Sequence, residues 1–127
     1  MIRVVAAVVE RDGAYLLGLR PREKRHGGLW EFPGGKLDEG ETVEEAVRRE
    51  LNEELDVEVA TVGAHLLSVA DEDSPFVIEF HVVSIIGEPT PHEHEEIGWF
   101  SPAELSETPL APADRTFAET LPTAQGR

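Results

Sequence analysis

The sequence contains no cysteine, has few positive charges and lacks any long hydrophobic run. Each absence removes a class of answers. Without cysteine there are no disulfides, no thiolate zinc sites, no cysteine nucleophile and no thiol redox chemistry. Only 11 lysines and arginines stand against 26 acidic residues, giving a net charge of −15. Stable binding to duplex nucleic acid draws on a broad basic surface, which this balance does not supply. The longest apolar run, Val4 to Val9, falls far short of the roughly 18 residues that span a bilayer. Glu10, Arg11 and Asp12 follow it at once, unlike a cleavable signal. The expectation is a soluble, cytoplasmic chain. Its 127 residues, 40% of them hydrophobic, suit one domain with a core of ordinary size. No repeat, linker or second domain is visible, so residues 1–127 read as a single unit, with a disordered tail expected from about residue 122.

The charges that are present are unevenly placed. Ten of the 26 acids fall between Asp38 and Glu58, and five of the 11 basic residues between Arg20 and Lys36. A basic stretch running into an acidic one suits a phosphate substrate carried on metal ions, although most such residues are simply solvated.

Valine-rich Ile2 to Glu10 reads as a buried strand. Arg11-Asp12-Gly13 reads as a turn, with Ala14 to Arg20 as the returning strand of a hairpin. A basic loop covers Pro21 to Gly28, and Leu29 to Phe32 is a short apolar piece. Pro33-Gly34-Gly35 then breaks regular structure. Thr42 and Glu45 fit a capping box, which starts a helix over Val43 to about Leu55. Val57 to Ala70 is strand-like with a break at Gly63. Asp71 to Ser74 is a turn, Pro75 to Ile86 a strand, Gly87 to Glu96 a loop and Ile97 to Phe100 a short strand. Pro102 to Glu107 and Ala113 to Leu121 read as short helices. Strands on both sides of a helix indicate a layered α/β or α+β fold.

The helix holds the anomaly. At 100° per residue, Ala46, Val43, Val47, Leu51 and Leu55 form one apolar arc. Glu50 and Glu54 fall inside that arc, and Glu53 sits on its edge. Like charges so placed repel, and burying them unpaired is costly. Arg48 and Arg49 both point elsewhere on the wheel, with Arg49 the nearer to the cluster. A hard divalent cation neutralises such a cluster better. Oxygen donors select Mg²⁺ or Mn²⁺, and Mg²⁺ is commonly shared with substrate phosphates.

The segment from Gly35 to Val57, GKLDEGETVEEAVRRELNEELDV, resembles the Nudix box, G-x5-E-x7-R-E-U-x-E-E-x-G-U, where U is a bulky apolar residue. Gly35, Glu41, Arg49, Glu50, Leu51, Glu53, Glu54 and Val57 match. Asp56 replaces the late glycine, a position after the helix where a left-handed residue is common; Asp tolerates that conformation at a modest cost. The approach LWEFPGG over Leu29 to Gly35 is similar to that of MutT-like nucleoside triphosphate pyrophosphohydrolases. So is the C-terminal pattern of His92-Glu93-His94-Glu95, Trp99 and Leu110-Ala-Pro-Ala-Asp114, which is similar to the CTP pyrophosphohydrolase branch.

This resemblance implies a Nudix fold, an α/β/α sandwich with a mixed sheet. It implies Mg²⁺, or Mn²⁺ as a substitute, held by Glu50, Glu53, Glu54 and the carbonyl of Gly35. It implies hydrolysis of a nucleoside triphosphate to monophosphate and pyrophosphate, in sanitation of the nucleotide pool. The catalytic set is Glu50, Glu53, Arg49 and Glu93. Arg49 orients a glutamate, and Glu50 and Glu93 are the two candidates for the general base. Glu41 takes a structural or outer role. Arg20 and Lys36 are candidates for phosphate contact, and Asp114 for the base. An ionised Asp accepts hydrogen bonds only, which suits the N4 amino group of cytosine or the N–H groups of an oxidised guanine. Glu31 is a candidate to face the metals. Trp30, Phe32, Phe76 and Phe80 read as core, His92 and His94 as surface, and His26, His65 and His81 as isolated. The substrate is a small nucleotide, with no nucleic acid or membrane partner, and the chain a monomer or homodimer. Hydrolysis of ADP-ribose or a dinucleoside polyphosphate is the alternative, and a non-catalytic nucleotide sensor a further one.

Overall fold

The structure is a computed structural model that describes residues 1–71 and 73–122. The expected tail beyond residue 122 lies outside the described residues. Eight strands and three helices are described: β1 (Ile2–Val8), β2 (Glu10–Arg11), β3 (Ala14–Leu19), β4 (Trp30–Glu31), β5 (Gly34–Lys36), α1 (Val43–Leu55), β6 (Glu58–Ala70), β7 (Phe76–Ile86), β8 (Glu96–Phe100), α2 (Pro102–Leu105) and α3 (Pro112–Ala118).

They form two four-stranded sheets. The first has the order β5-β1-β7-β6, with β1 parallel to β7 and the other pairings antiparallel. The second is built on β3, which pairs β2, β4 and β8. The opening valine run is therefore split. β1 enters the first sheet, and only Glu10 and Arg11 form the hairpin with β3.

β1 is buried on both faces, as the run of valine and alanine requires. Val5, Ala7 and Val9 meet Ala46, Val47, Leu51 and Leu55 of α1. Ala6 and Val8 face Phe32, Phe80, Leu105 and Phe117 on the opposite side. Neighbouring residues of β3 divide in the same way, Leu16 to the α1 core and Leu17 to the α3 core. Helices thus flank a mixed sheet on two sides, the α/β/α sandwich expected.

The segment Pro33-Gly34-Gly35 does not simply break structure, because Gly34 to Lys36 form β5 against β1. Gly34 has φ 154°, and a Cβ there would stand 1.9 Å from the Val5 carbonyl oxygen. Only glycine permits that approach. The break expected at Gly63 is a set of register shifts within a continuous β6, between Val59 and Leu67.

α1 has the anticipated limits. Thr42 accepts from the Glu45 N–H at 3.1 Å, and the Glu45 carboxylate accepts from the Thr42 N–H at 3.0 Å. Asp56 ends the helix at φ 57° and ψ 42°, donating its N–H to the Asn52 carbonyl. An L-residue is strained there and glycine is not. Asp56→Gly is therefore expected to raise stability by up to about 1 kcal/mol. A Tm rise of roughly 3–5 °C in thermal unfolding would show it; an unchanged or lower Tm would contradict it.

Candidate active site

A cleft lies between β5 and α1 on one side and β4, the loop before β8 and the start of α3 on the other. It has two halves. The first, about 160 Å³, is lined by Gly34, Gly35, Glu54, Glu93, His94 and others. The second, about 240 Å³, runs past Phe76, Ile78, Ala111, Pro112 and Ala113. Arg20, Glu31, Gly35 and Asp114 line both.

The helix wheel anticipates the carboxylates correctly. Glu54 is buried, Glu50 half-buried, and the Glu53 side chain is 51% exposed. Helix α1 lays its carboxylates on β5. A Cβ on Gly35 would stand 2.3 Å from the Glu50 carboxyl carbon, so glycine there makes room for that carboxylate. Gly34 offers its N–H to Glu54 at a long 3.4 Å.

Arg49 does reach the cluster. Its guanidinium grips Glu41 with two bonds of 2.8 Å, donates to Glu50 at 3.0 Å and to the Lys36 carbonyl at 3.0 Å. Two-pronged pairing of this kind fixes orientation as well as charge. It holds Arg49 firmly protonated and, with the Asp38 N–H, pulls Glu41 down to about 2. Glu41 thus has the structural role expected, since it anchors the arginine that holds Glu50. Arg48 turns away to Glu44 and the Val59 carbonyl.

Glu54 has no such partner. Burial pushes its carboxyl up to about 10, and so do the contact with Glu50 and the charges of Glu50, Glu31 and Glu93. Among the described residues, no three carboxylate or imidazole side chains are already gathered to hold a metal ion. Glu50 is drawn onto Arg49 and Glu53 turned outward. The donor set nevertheless fits a hard cation: all its atoms are oxygen, Glu50 and Glu54 lie on one helix face beside Gly34 and Gly35, and the Glu54 carboxyl is buried without a cationic partner.

The other half is reached through β4. Trp30 donates to the Pro109 carbonyl at 2.9 Å, and Ala111 donates to the Trp30 carbonyl at 3.0 Å. This pairing sets the first turn of α3 under Phe32. Asp114 Oδ1 then accepts the Phe32 N–H at 2.8 Å. Burial pushes the Asp114 carboxyl up to about 8, aided by the Glu31 charge. The Phe32 N–H, its own amide and Arg20 pull the other way, with less effect. Burial thus favours the protonated form of Asp114, which would offer a donor beside an acceptor where the ionised form only accepts.

Arg20 donates to Glu31 at 3.0 Å and to the Arg25 carbonyl at 2.6 Å. Lys36 lies on the opposite wall, with Nζ 5.2 Å from the Phe76 ring centre. Phe32 and Phe80 are core, as expected, whereas Phe76 lines the cleft. His94 is not a surface residue: its side chain is 4% exposed and lies 2.9 Å from Glu31. His92 is exposed. His65 and His81 are not isolated, since their rings face each other at 5.1 Å across β6 and β7. His26 lies 3.7 Å from Asp71, which Arg25 also approaches at 3.4 Å, joining the basic loop to the far wall.

The NUDIX domain family model matches residues 1–121. The chain is 47% identical to the CTP pyrophosphohydrolase of Escherichia coli K12, over 95% of this chain and 91% of that protein. It is 32% identical to the 8-oxo-dGTP diphosphatase of Haemophilus influenzae, over 95% of this chain and 91% of that one. The crystal structure of a MutT NUDIX hydrolase from Burkholderia pseudomallei superposes with a TM-score of 0.82 at 33% identity, covering 95% of this chain and 98% of that one.

Proposed function

The chain belongs to the Nudix hydrolase family, and from that premise we propose that it hydrolyses a cytidine-type or oxidised-guanine nucleoside triphosphate to the monophosphate and pyrophosphate. The observation that carries this reading is Asp114. It accepts the Phe32 N–H at the floor of a mainly apolar slot, and the slot opens onto the carboxylates of α1. A protonated Asp114 presents an O–H beside a carbonyl oxygen. Cytosine offers N3 as acceptor beside the N4 amino donor. An 8-oxoguanine offers O6 as acceptor beside the N7–H donor. Both edges match.

Nudix hydrolases use divalent metal ions. Here Mg²⁺ is the proposed cofactor and Mn²⁺ its substitute. Glu50, Glu53, Glu54 and the Gly35 carbonyl are the groups that would hold it. When bound, such an ion neutralises phosphate charge and lowers the pKa of a water for attack on phosphorus. The protein's own part is positioning. Arg49, anchored on Glu41, aims Glu50. Arg20, which lines both halves of the cleft, and Lys36, which lines the second, are the proposed phosphate contacts. Glu50 and Glu93 are the two groups proposed to take a proton from the attacking water. No covalent nucleophile is needed, since orientation and electrostatics supply the acceleration. Removal of damaged or surplus triphosphates from the nucleotide pool follows from the reaction. No helix among the described residues is long and apolar enough to cross a membrane.

The test is a pyrophosphate-release assay with Mg²⁺ over the common NTPs and dNTPs, 8-oxo-dGTP, 5-methyl-dCTP, ADP-ribose and a dinucleoside polyphosphate. The expected result is monophosphate and pyrophosphate from a cytidine triphosphate or 8-oxo-dGTP, ahead of the other bases. Turnover of ADP-ribose or the dinucleoside compound, with none of the triphosphates, would overturn the proposal.

A further inference from the structure

His94 has no part in the scheme above, yet it is enclosed with unusual care. Its ring lies on Gly18 of β3, where a Cβ would stand 2.4 Å from it. Glycine inside a strand weakens the strand and marks a close approach by another group. Here the approaching group is the imidazole. Gly18 also pairs across the sheet with Glu31 of β4. One strand position therefore registers the Glu31 backbone and seats the ring that meets the Glu31 side chain.

His94 Nε2 lies 2.9 Å from Glu31 Oε2. A carboxylate only accepts, so Nε2 is the donor. Nδ1 is buried and has no partner. A proton on Nδ1 would be stranded away from water, which is costly. The tautomer protonated on Nε2 alone fits the surroundings. The second Glu31 oxygen accepts from Arg20 at 3.0 Å. Glu31 is thus gripped from both sides, and each oxygen keeps a lone pair for a ligand. It stands in both halves of the cleft, between Glu54 and Asp114.

We infer that His94 is a positioning residue for the proposed hydrolysis, fixing the Glu31 carboxylate at the junction of the phosphate and base halves of the cleft. The inference rests on the proposed reading for its kinetic consequence, and on geometry alone for the hydrogen bond.

Both parts can be tested. His94→Ala is expected to lower kcat/KM for CTP and 8-oxo-dGTP by about tenfold to a hundredfold, because Glu31 lines both halves of the proposed substrate cleft and a small misplacement of a group beside the bound substrate is expensive. His94→Gln, whose side-chain amide reaches about as far as Nε2, is expected to recover most of it. Gly18→Ala, at a position that does not itself line the cleft, displaces the ring and is expected to reproduce His94→Ala. In a Glu31→Ala background, His94→Ala should add less than about a threefold loss. A merely structural histidine gives a different pattern. His94→Ala would then lower Tm with kcat/KM of the folded protein unchanged, or would cost as much without Glu31 as with it. Either result overturns the inference. Nitrogen-15 NMR of the imidazole is independent of turnover. It should show His94 protonated on Nε2 with the shift of a hydrogen-bonded N–H, and lose that hydrogen-bond shift in Glu31→Ala; a ring protonated on Nδ1, or an Nε2–H signal unchanged by Glu31→Ala, would overturn the inference. If the wild-type protein cleaves no triphosphate, the functional reading fails while the NMR still decides the hydrogen bond.

Discussion

Glu54→Gln is expected to lower kcat by about a hundredfold or more while leaving the metal-free protein as stable as before, or more so. The two effects come from one cause. Glu54 is 5% exposed, on the apolar face of α1, in contact with Glu50 and facing the charges of Glu31 and Glu93. Without a cation this carboxyl is a burden, since ionisation is opposed by burial and by every charged neighbour named. Glutamine has the same shape, carries no charge and can donate to Glu50, so the fold loses nothing. The proposed chemistry loses a charged oxygen donor that an amide replaces poorly. Thermal unfolding with and without Mg²⁺ separates the two effects. A ligand that binds only the folded state at a hundred times its Kd stabilises by about 2.7 kcal/mol. The wild-type Tm is expected to rise with Mg²⁺, and the Glu54→Gln Tm to rise much less. A variant that keeps kcat within about threefold would remove Glu54 from the mechanism. Alanine is the wrong substitution here, because the cavity it leaves would obscure both readings.

The local signals in the sequence translated well. The capping box, the limits of α1 and the intrusion of Glu50 and Glu54 into its apolar face all depend on residues within one turn of each other, where periodicity is reliable. The left-handed Asp56 was legible because a motif and a helix end coincide there. What remained hidden depends on contacts between distant strands. Gly34 to Lys36 form a strand only because β1 lies alongside, and nothing in Pro-Gly-Gly announces that partner. His94 reads as a loop histidine until Gly18, 76 positions earlier, is seen to seat it. The glycine in the apolar run of β3 was the available clue, since a strand interior seldom uses glycine without reason. Charge states were hidden for the same reason. Asp114 looks like an ordinary carboxylate in sequence, and its surroundings include Glu31 and Phe32, which lie 83 and 82 positions earlier in the chain.

That enclosure leads to the second large effect, at Asp114. The unfolded chain releases the Asp114 proton near the ordinary value of 3.8, and the folded protein holds it up to about 8. Between those values the folded state binds the extra proton, so stability falls as pH rises. The contribution is complete below about pH 4 and is lost as pH climbs through about 8. Its full span is at most about 6 kcal/mol. Asp114→Asn keeps an oxygen to accept the Phe32 N–H and cannot ionise. Its Tm should match the wild type near pH 3.5 and exceed it near pH 9, by roughly 20 °C if the full span is realised. Comparing the two proteins at each pH cancels the other titrating groups, Glu54 among them. Substrate choice should follow the same proton. Above pH 8 the wild-type group becomes an acceptor only and loses its match to cytosine N3 or guanine O6, so kcat/KM for the preferred base should fall. The asparagine variant keeps a donor and an acceptor at every pH, and its base preference should not change over that range. Parallel pH profiles for the two proteins, in both stability and base preference, would show that Asp114 is ionised throughout and that burial does not govern how this pocket reads its base.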